Sequence, residues 1–325
     1  MPRGVVLGLV RAFAVVFGVV TLTFILVHIA PGDPVQRLLG PAATTVQVTA
    51  ARHAIGLDRP FSVQYGIWLT RALSGDFGTS IATGRDVRSL LAAAWPATAL
   101  LVILSLGLTY VLGIAIGTYQ ANTHSRIADG SVTIVTVALN AMPGYWLGLV
   151  LIMVFTYRLR MLPAFGASGL DADFLGWPAQ MVDRLRHLVL PLTTLTLIGV
   201  GGTARFVRAA MREVRDAPFL VVARAKGVGR GRTVVRHQLR NALIPVVTLL
   251  GLSLPALFSG TVFVEAIFAW PGVGQLMVQG VQARDYPVVM AAATVTSVLV
   301  VLGNILADLL VGIVDPRARR VHEPA

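Results

Sequence analysis

The chain has 325 residues, of which 55% are hydrophobic and only 13% are charged, and its mean hydropathy is +0.76. Soluble domains carry roughly 25% charged residues, so this composition excludes an ordinary soluble domain and indicates an integral membrane protein. The absence of cysteine excludes disulfides and thiolate sites, and the net charge of +12 lies between apolar runs, where it orients a membrane protein rather than binding nucleic acid.

Long uncharged runs dominate the sequence, and a membrane-spanning helix needs about 20 mainly apolar residues. Six runs of this kind predict an all-α integral membrane protein with six transmembrane helices, which places both termini on the same side. The runs are Ala12–Ala30, Pro96–Tyr119, Gly130–Tyr157, Leu188–Ala204, Asn241–Val264 and Tyr286–Ala307.

The first run follows two arginines, as a signal peptide would, but it is too long for one and Pro31 makes a poor cleavage junction. We therefore predict an uncleaved transmembrane helix over residues 1–30. The next segment, 31–95, is long for a connector. Its amphipathic stretches Val46–Gly56 and Phe61–Leu73 predict short helices, and its aromatic residues favour a small folded cap.

Two runs carry glycines four residues apart, Gly113 with Gly117 and Gly144 with Gly148. Small residues at this spacing either mark close helix contacts or reflect the ordinary enrichment of glycine in membrane helices. The sequence alone leaves both interpretations open.

The third run contains a proline, Pro143, between Met142 and Gly144. Proline removes one backbone hydrogen bond, so a kink is expected near the middle of this span. Kinks at that depth often line a cavity, and Asn140 beside it is either a pore-lining group or a partner in a helix–helix hydrogen bond.

A polar stretch, Arg208–Arg240, separates the fourth and fifth runs. It holds nine basic residues and two acidic ones, and so more than half of the net charge. Basic residues concentrate in cytoplasmic loops, which predicts that this stretch and both termini are cytoplasmic and that 31–95 is extracytoplasmic.

Inside this stretch, Asp216–Lys226 has the signals of a short helix. Asp216 can cap the N-terminus, Pro218 suits the first turn and Gly227 can end the helix. Such a helix either fits a groove on a partner protein or belongs to a solvated loop that only sets topology. Its predicted apolar face consists of Phe219, Val222 and Ala223.

Two neighbouring motifs, ARAKG at Ala223–Gly227 and HQLRNALIP at His237–Pro245, are separated by nine residues. Together they resemble the cytoplasmic coupling loop of ABC-importer permeases, whose general pattern is Glu-Ala-Ala, three residues, Gly, nine residues, then Ile-x-Leu-Pro. The positions that match this pattern are Ala223, Gly227 and Leu239. The positions that depart from it, in a way typical of the peptide/nickel branch, are Val221, Val222, His237 and Arg240.

Further motifs along the chain resemble the B-type permease subunit of dipeptide and oligopeptide ABC importers, so that the likeness runs nearly end to end. These motifs are His28–Pro34, Gly75–Ser80, Val264–Gly274, Arg284–Pro287 and Asp315–Arg317.

The resemblance implies a type I ABC-importer permease fold with a folded extracytoplasmic loop between helices 1 and 2. The permease core would be 96–316, with the coupling loop at 208–245 and a cytoplasmic tail at 317–325. It implies a multi-pass protein of the bacterial cell membrane that forms a heterodimer with a second, homologous permease. Two ATPase subunits, or one fused ATPase, would bind ATP and magnesium, and an extracytoplasmic binding protein would deliver a peptide substrate.

This subunit is therefore expected to bind no cofactor or metal and to have no catalytic residues. It lacks the GxxxxGK[ST] loop that cradles ATP phosphates. The expected ATPase-coupling residues are Pro218, Val222, Ala223, Arg224, Ala225, Lys226, Gly227, His237, Leu239, Arg240 and Asn241. The candidates for the translocation path or gate are Asn140, Met142, Pro143, Glu265 and Asp285, and for the two acids a structural role is an equal alternative.

Two alternatives concern what is transported and how. The same class of importer could carry a nickel chelate, an opine or glutathione. An ATPase-independent channel or carrier would require charged relays within the membrane, and only Asp308, near the end of the sixth run, comes close to that pattern.

Overall fold

The computed structural model describes residues 2–30, 32–40 and 42–314, and within these residues the regular structure is helical. Two π-helical stretches, Ile152–Arg158 and Thr233–Leu239, and a 3-10 turn, Ala172–Phe174, interrupt or join the α-helices. The α-helices are α1 (Pro2–Ile29), α2 (Pro34–Leu39), α3 (Thr45–Ile55), α4 (Phe61–Leu73), α5 (Val87–Asn122), α6 (Arg126–Ala141), α7 (Gly144–Leu151), α8 (Trp177–Glu213), α9 (Pro218–Ala225), α10 (Arg230–Arg232), α11 (Arg240–Ile267), α12 (Val273–Ala283) and α13 (Tyr286–Val314).

Several helices are long and apolar enough to cross a membrane. Among the described residues these are Val10–Ile29, Val87–Asn122, Trp177–Glu213 and Tyr286–Leu306, and the bent pair of α6 with Gly144–Arg158 makes a fifth if it counts as one span. The predicted run Asn241–Val264 lies within α11, several of whose side chains fall outside the described part. The count of six spans therefore stays a prediction.

The second span begins earlier than predicted, at Val87 rather than at Pro96. Asp86 caps this helix, because its Oδ2 accepts a hydrogen bond from the Ser89 N–H at 2.9 Å. Pro96 lies inside α5, where its missing N–H costs one hydrogen bond without ending the helix. The helix therefore extends into the segment that the sequence assigned to the 31–95 cap.

The chain divides into two compact units, of which the first consists of residues 1–99 and 269–301. Helices α3 and α4 confirm the two short helices predicted in the 31–95 segment. A capping box between Thr44 and Gln47 starts α3, and Gly56 ends it in the left-handed conformation at φ +79°. The core of this unit joins α5, α12 and α13 through Val87, Leu91, Ala94, Val273, Val288, Ala291 and Ala292.

Within the described residues, the second unit consists of residues 100–268 and 302–314. Here the paired glycines mark close helix contacts: a Cβ on Gly117 would lie 2.5 Å from the Ala204 carbonyl oxygen, and one on Gly144 would lie 2.7 Å from the Ile198 side chain. These contacts favour the close-packing interpretation over simple enrichment of glycine. The core of this unit contains Tyr110, Ala121, Val207, Ala210, Met211, Ala242 and Val246.

Candidate functional site

Helix α9 lies in the middle of the basic stretch and begins at Pro218. The predicted cap is displaced by one residue, because Ala217 and not Asp216 precedes the helix. The Ala217 carbonyl accepts a hydrogen bond from the Leu220 N–H at 2.9 Å. Pro218 needs no partner for a backbone N–H, so the first turn starts there, and the predicted range Asp216–Lys226 contracts to Pro218–Ala225.

The stop of α9 at Gly227 is as predicted, although the helix itself ends at Ala225 rather than at Lys226. Gly227 has φ +76°, in the left-handed region, and the Val228 N–H donates to the Ala223 carbonyl at 3.1 Å. This is the outer hydrogen bond of a Schellman motif. A Cβ at Gly227 would meet no atom within 4 Å, so the backbone conformation alone selects glycine there.

The two faces of α9 differ in burial. Leu220 and Ala223 turn inward and are 0% and 7% exposed. The prediction that Ala223 belongs to the outward apolar face is therefore wrong, since it follows Leu220 by three residues and shares its side of the helix. The outward apolar face consists of Phe219, Val221 and Val222, which are 40%, 56% and 52% exposed. Ala225 and Lys226 are exposed as well, and the Arg224 side chain lies outside the described residues.

The second arm of the loop runs through α10 and the π-helical stretch into α11. Leu239 packs against the core cluster that contains Val207 and Met211. His237 is half-buried, and its carbonyl accepts from Asn241 Nδ2 at 2.7 Å, while Arg240 is exposed. Of the predicted coupling residues of this arm, Leu239 therefore packs against the end of α8, and His237 and Asn241 are joined to each other.

Sequence reasoning missed Gln238, which links the second arm to the end of α8. Its side chain is buried, and its Nε2 donates to the Met211 carbonyl at 2.8 Å. Arg230 links the same arm to the end of α5, because its guanidinium donates to the Asn122 carbonyl at 2.9 Å and lies 3.0 Å from His124 Nε2. No pattern in the sequence pointed to Gln238.

A second missed group centres on Asp129, in the first turn of α6. Its carboxylate forms ion pairs with Arg208 and, at 3.2 Å, with Arg212, both on α8. Gln120 of α5, which is fully buried, donates to Asp129 Oδ1 at 3.3 Å and to Thr133 Oγ1 at 3.1 Å. The Asp129 carboxylate therefore joins α5, α6 and α8. The arginines that it contacts lie within the last two turns of α8. A signal existed: Asp129 is the only acid between the second and third runs, and the basic stretch needs counter-charges.

The predicted break at Met142–Pro143 is confirmed, and it is sharper than a kink. Helix α6 ends at Ala141, a new helix starts at Gly144, and the axes differ by 106°. Asn140 and Pro143 are exposed and Met142 is half-buried. Their role in a translocation path stays a prediction.

The two acids proposed for the gate are both buried. Glu265 is 0% exposed in the last turn of α11. Asp285 is 2% exposed, and its carboxylate accepts hydrogen bonds from the Ser80 hydroxyl and from the backbone N–H groups of Ile81 (3.1 Å) and Ala82 (3.2 Å). Asp285 thus ties the loop before α5 to the start of α13, as a structural role requires, and substrate contact by either acid stays a prediction. Among the described residues, no group of three or more His, Asp or Glu side chains could hold a metal ion.

Two known protein families match this chain, and together they cover most of its length. Residues 110–320 match the family described as the inner membrane component of binding-protein-dependent transport systems. Residues 1–102 match the family described as the N-terminal part of the membrane component of such systems.

Three proteins named as permeases are similar to this chain over nearly their whole length. The chain is 38% identical to the oligopeptide transport system permease protein AppB of Bacillus subtilis, with 93% of this chain and 95% of that protein covered. It is 39% identical to the probable D,D-dipeptide transport system permease protein DdpB of Escherichia coli, with 94% of each covered. It is 35% identical to the glutathione transport system permease protein GsiC of Salmonella typhi, with 96% of each covered.

Two solved structures share the fold at low identity. One is an amino acid ABC transporter (TM-score 0.52, 15% identity, 69% of this chain and 93% of that chain covered). The other is the MetNI methionine ABC transporter in an inward-facing conformation (TM-score 0.51, 18% identity, 70% and 96% covered).

Proposed function

Because the chain belongs to the family of inner membrane components of binding-protein-dependent transport systems, we propose that it is the permease subunit of an ATP-driven importer of peptides. The observation that carries the coupling part of this proposal is helix α9, whose outward face exposes Phe219 and Val222 and whose end is fixed at Gly227. An exposed apolar face on a short helix with basic flanks suits a groove on a partner protein. That partner would be an ATPase.

Peptide is the cargo that the similar proteins favour, since two of them are named for oligopeptide or dipeptide transport. Glutathione is a second candidate, supported by the 35% identity to GsiC. Both cargoes present a free carboxylate and peptide amides, so the same kind of subunit could carry either.

The mechanism is alternating access. Binding of ATP closes the ATPases, which shifts α9, and the spans move because α9 follows directly on α8. The ion pairs of Asp129 with Arg208 and Arg212 would pass this shift from α8 to α6, and from there to the break at Pro143. Coupling of this kind requires that ATP and substrate favour different arrangements of the same helices.

The remaining parts follow from this assignment. The ATPases, as two chains or one fused chain, hold the ATP and magnesium, so this subunit is not itself an enzyme. A second permease completes the path, and a binding protein delivers the peptide. The 208–245 loop and both termini face the cytoplasm, and the 31–95 segment forms a cap on the opposite side, where it meets the binding protein or covers the cavity.

Purification in mild detergent and reconstitution test the function. We expect a second permease and the ATPases to co-purify, and proteoliposomes to import labelled dipeptide or oligopeptide only with ATP and the binding protein. Uptake that needs no ATPase would replace the importer with a carrier. Uptake of glutathione but not of other peptides would shift the assignment to the second cargo.

The topology has a separate test, which the cysteine-free chain makes simple. Single variants Ser62→Cys and Arg232→Cys place exposed thiols in the cap and in the basic stretch. We expect a membrane-impermeant maleimide to label them from opposite sides. Labelling from the same side would contradict the proposed arrangement.

A further inference from the structure

Arg205 is a charged residue of the span α8 to which the proposed mechanism gives no role. It lies eight residues before α8 ends at Glu213, and it directly follows the uncharged run Leu188–Ala204. Its side chain is exposed. Charged side chains within membrane spans almost always face the interior of a helix bundle or a water-filled cavity. Arg205 therefore indicates a surface of α8 that does not face lipid.

The packing of α8 leaves one part of its surface open. Among the described spans α8 has the largest buried share, 61% of its apolar stretch, because α5, α6 and α11 pack against it. The contact with α6 is close, since a Cβ on Gly201 would lie 2.3 Å from the Thr136 carbonyl oxygen. Beside this contact runs a row of less buried residues at the spacing of one helix face, Gly202, Arg205 and Ala209.

The Arg205 side chain is turned away from the nearer membrane surface. Its Nε donates to the Gly201 carbonyl at 3.3 Å, one turn back toward the start of α8. In the proposed topology the end of α8 is cytoplasmic, so an arginine that reached for lipid headgroups would extend the other way. Among the described residues no carboxylate pairs with Arg205, whereas Arg208 and Arg212 share Asp129. Its guanidinium therefore has N–H donors to offer a ligand.

The end of α6 supplies a second polar group next to this row. Asn140 is exposed, and its Oδ1 lies 3.5 Å from the position that a Cβ on Gly202 would occupy. Apart from the adjacent residues of α8, the described part of the chain places no other side chain within 4 Å of that position. Gly202 therefore leaves a notch that the Asn140 amide borders, with Arg205 three residues further along the same face of α8.

The groups around this notch match the end of a peptide. A guanidinium binds a carboxylate through two parallel hydrogen bonds, a geometry that few other groups offer. The amide of Asn140 has both donors and an acceptor, as does the peptide bond next to a terminal carboxylate. Arg205 is the charged group among these residues, so the notch favours an anion over a cation.

We propose that Arg205 binds the terminal carboxylate of the peptide during its passage and that Asn140 binds the adjoining peptide amide. This inference rests on the proposed function, because it assigns a ligand to one surface of the proposed path. A peptide is favoured over a lipid phosphate, because the Arg205 side chain is turned away from the headgroups. Arg205 would thereby select cargo with a free carboxylate over cargo with a neutral end.

Import by the reconstituted complex tests this assignment with trialanine and trialanine amide, which differ only in the terminal carboxylate. In Arg205→Gln we expect uptake of subsaturating trialanine to fall about tenfold, the value of one charge-assisted hydrogen bond, and uptake of the amide to change by less than about twofold. The binding protein also selects peptides, but the same binding protein serves both permeases, so its preference cancels. An equal fall for both peptides, or no fall for either, would overturn the proposal.

Two matched variants separate recognition from structure. Arg205→Lys keeps the charge but loses the planar pair of donors, and it should recover part of the uptake of trialanine. Arg186→Gln removes the same charge from an exposed position near the outer end of α8, and it should import both peptides as the wild type does. If Arg205→Gln instead loses the second permease or a bound lipid on purification, Arg205 pairs with that partner and the peptide assignment fails.

A labelling test needs neither transport nor the binding protein. In the cysteine-free chain, Gly202→Cys places a single thiol in the notch, where its Cβ meets only an ordinary contact at 3.5 Å. We expect a membrane-impermeant maleimide to modify this thiol in the reconstituted complex, and millimolar trialanine, but not its amide, to slow the modification several-fold. The slowing should be absent in Gly202→Cys/Arg205→Gln.

The labelling result separates this inference from the proposed function. A thiol that the maleimide does not reach, or that both peptides protect equally, would overturn the role of Arg205 even if the complex imports peptides. Protection by trialanine in a complex that imports neither peptide with ATP and the binding protein would support the site and contradict the proposed function.

Discussion

The α5–α8 contact and the outward face of α9 are both apolar helix surfaces, but only the first is filled by the chain itself. At Gly113 and Gly117 the backbone of α5 comes so close to α8 that no side chain fits between them. On α9, Phe219 and Val222 remain about half exposed. The α5–α8 contact is complete within the chain, whereas the face of α9 needs a partner. Added side-chain volume should therefore destabilise the α5–α8 contact. Loss of the apolar side chains of α9 should instead weaken binding of the partner.

The largest expected effect comes from adding volume to the filled contact. In Gly117→Val the new Cβ would lie 2.5 Å from the Ala204 carbonyl oxygen and 2.7 Å from Val207 Cβ. We expect the free energy of unfolding to fall by about 3 kcal/mol or more, since overpacking forces backbone shifts. Gly107→Val is the control, because Gly107 lies on the same helix and a Cβ there would meet nothing within 4 Å. Thermal unfolding in detergent measures both, and equal shifts would contradict the close contact.

A smaller effect is expected at Asp129 of α6, whose carboxylate pairs with two arginines near the end of α8. Asp129→Asn removes the charge that Arg208 and Arg212 share, and because both arginines are partly exposed each ion pair contributes about 1 kcal/mol. We expect assembly to persist while peptide import per ATP hydrolysed falls several-fold, because α8 and α6 no longer move together. Asp173→Asn, at an exposed position, is the control. An unchanged ratio of import to hydrolysis in Asp129→Asn would remove this residue from the coupling route.

Gly227→Val tests the end of α9. Its φ of +76° disfavours a β-branched residue by about 1–2 kcal/mol, which is small against the stability of the packed spans. We expect normal abundance in the membrane, weaker association with the ATPases and loss of peptide-stimulated ATP hydrolysis. Gly231→Val should leave all three unchanged, because that glycine has helical backbone and open space around it. Normal association in Gly227→Val would mean that the end of α9 has no part in docking.

The smallest effect belongs to the cap. Burial alone would raise the pKa of Asp33, but hydrogen bonds from Arg52 and the Val35 N–H outweigh it and lower that pKa below its usual 3.8. A lowered pKa contributes stability above 3.8 that is lost as the pH falls through the folded value. We expect Asp33→Asn to lower the free energy of unfolding at pH 7 by less than about 1 kcal/mol, because the pair is partly exposed. The unfolding temperature should fall slightly as a result. The difference should shrink as the pH falls below 3.8, and a difference that grows instead would contradict the shift.

The sequence predicted what depends on local chemistry. Proline at 218, glycine at 227 and proline at 143 each impose a backbone restriction within one turn, and the structure follows all three. The capping role of Asp86 was missed because the search for spans followed uncharged residues, and a cap is polar.

What failed depends on distant contacts. The inward side of α9 is chosen by the surface that Leu220 and Ala223 meet, and no spacing within the helix reveals it. Asp129 and Arg208 lie 79 residues apart, and Gln238 meets Met211 across the whole loop. Such pairs are formed only when the helices have packed.

Docking of an ATPase on the exposed face of α9 can be measured with one double variant. Phe219→Ser/Val222→Ser removes the apolar side chains from that face and leaves the buried Leu220 and Ala223 in place. Val235→Ser, which changes a 64% exposed valine in the same basic stretch, is the control. In reconstituted complexes we predict that the double variant loses peptide-stimulated ATP hydrolysis and no longer retains the ATPases in a pull-down, at wild-type abundance, while the control behaves as wild type. Normal stimulation and retention in the double variant would contradict the account.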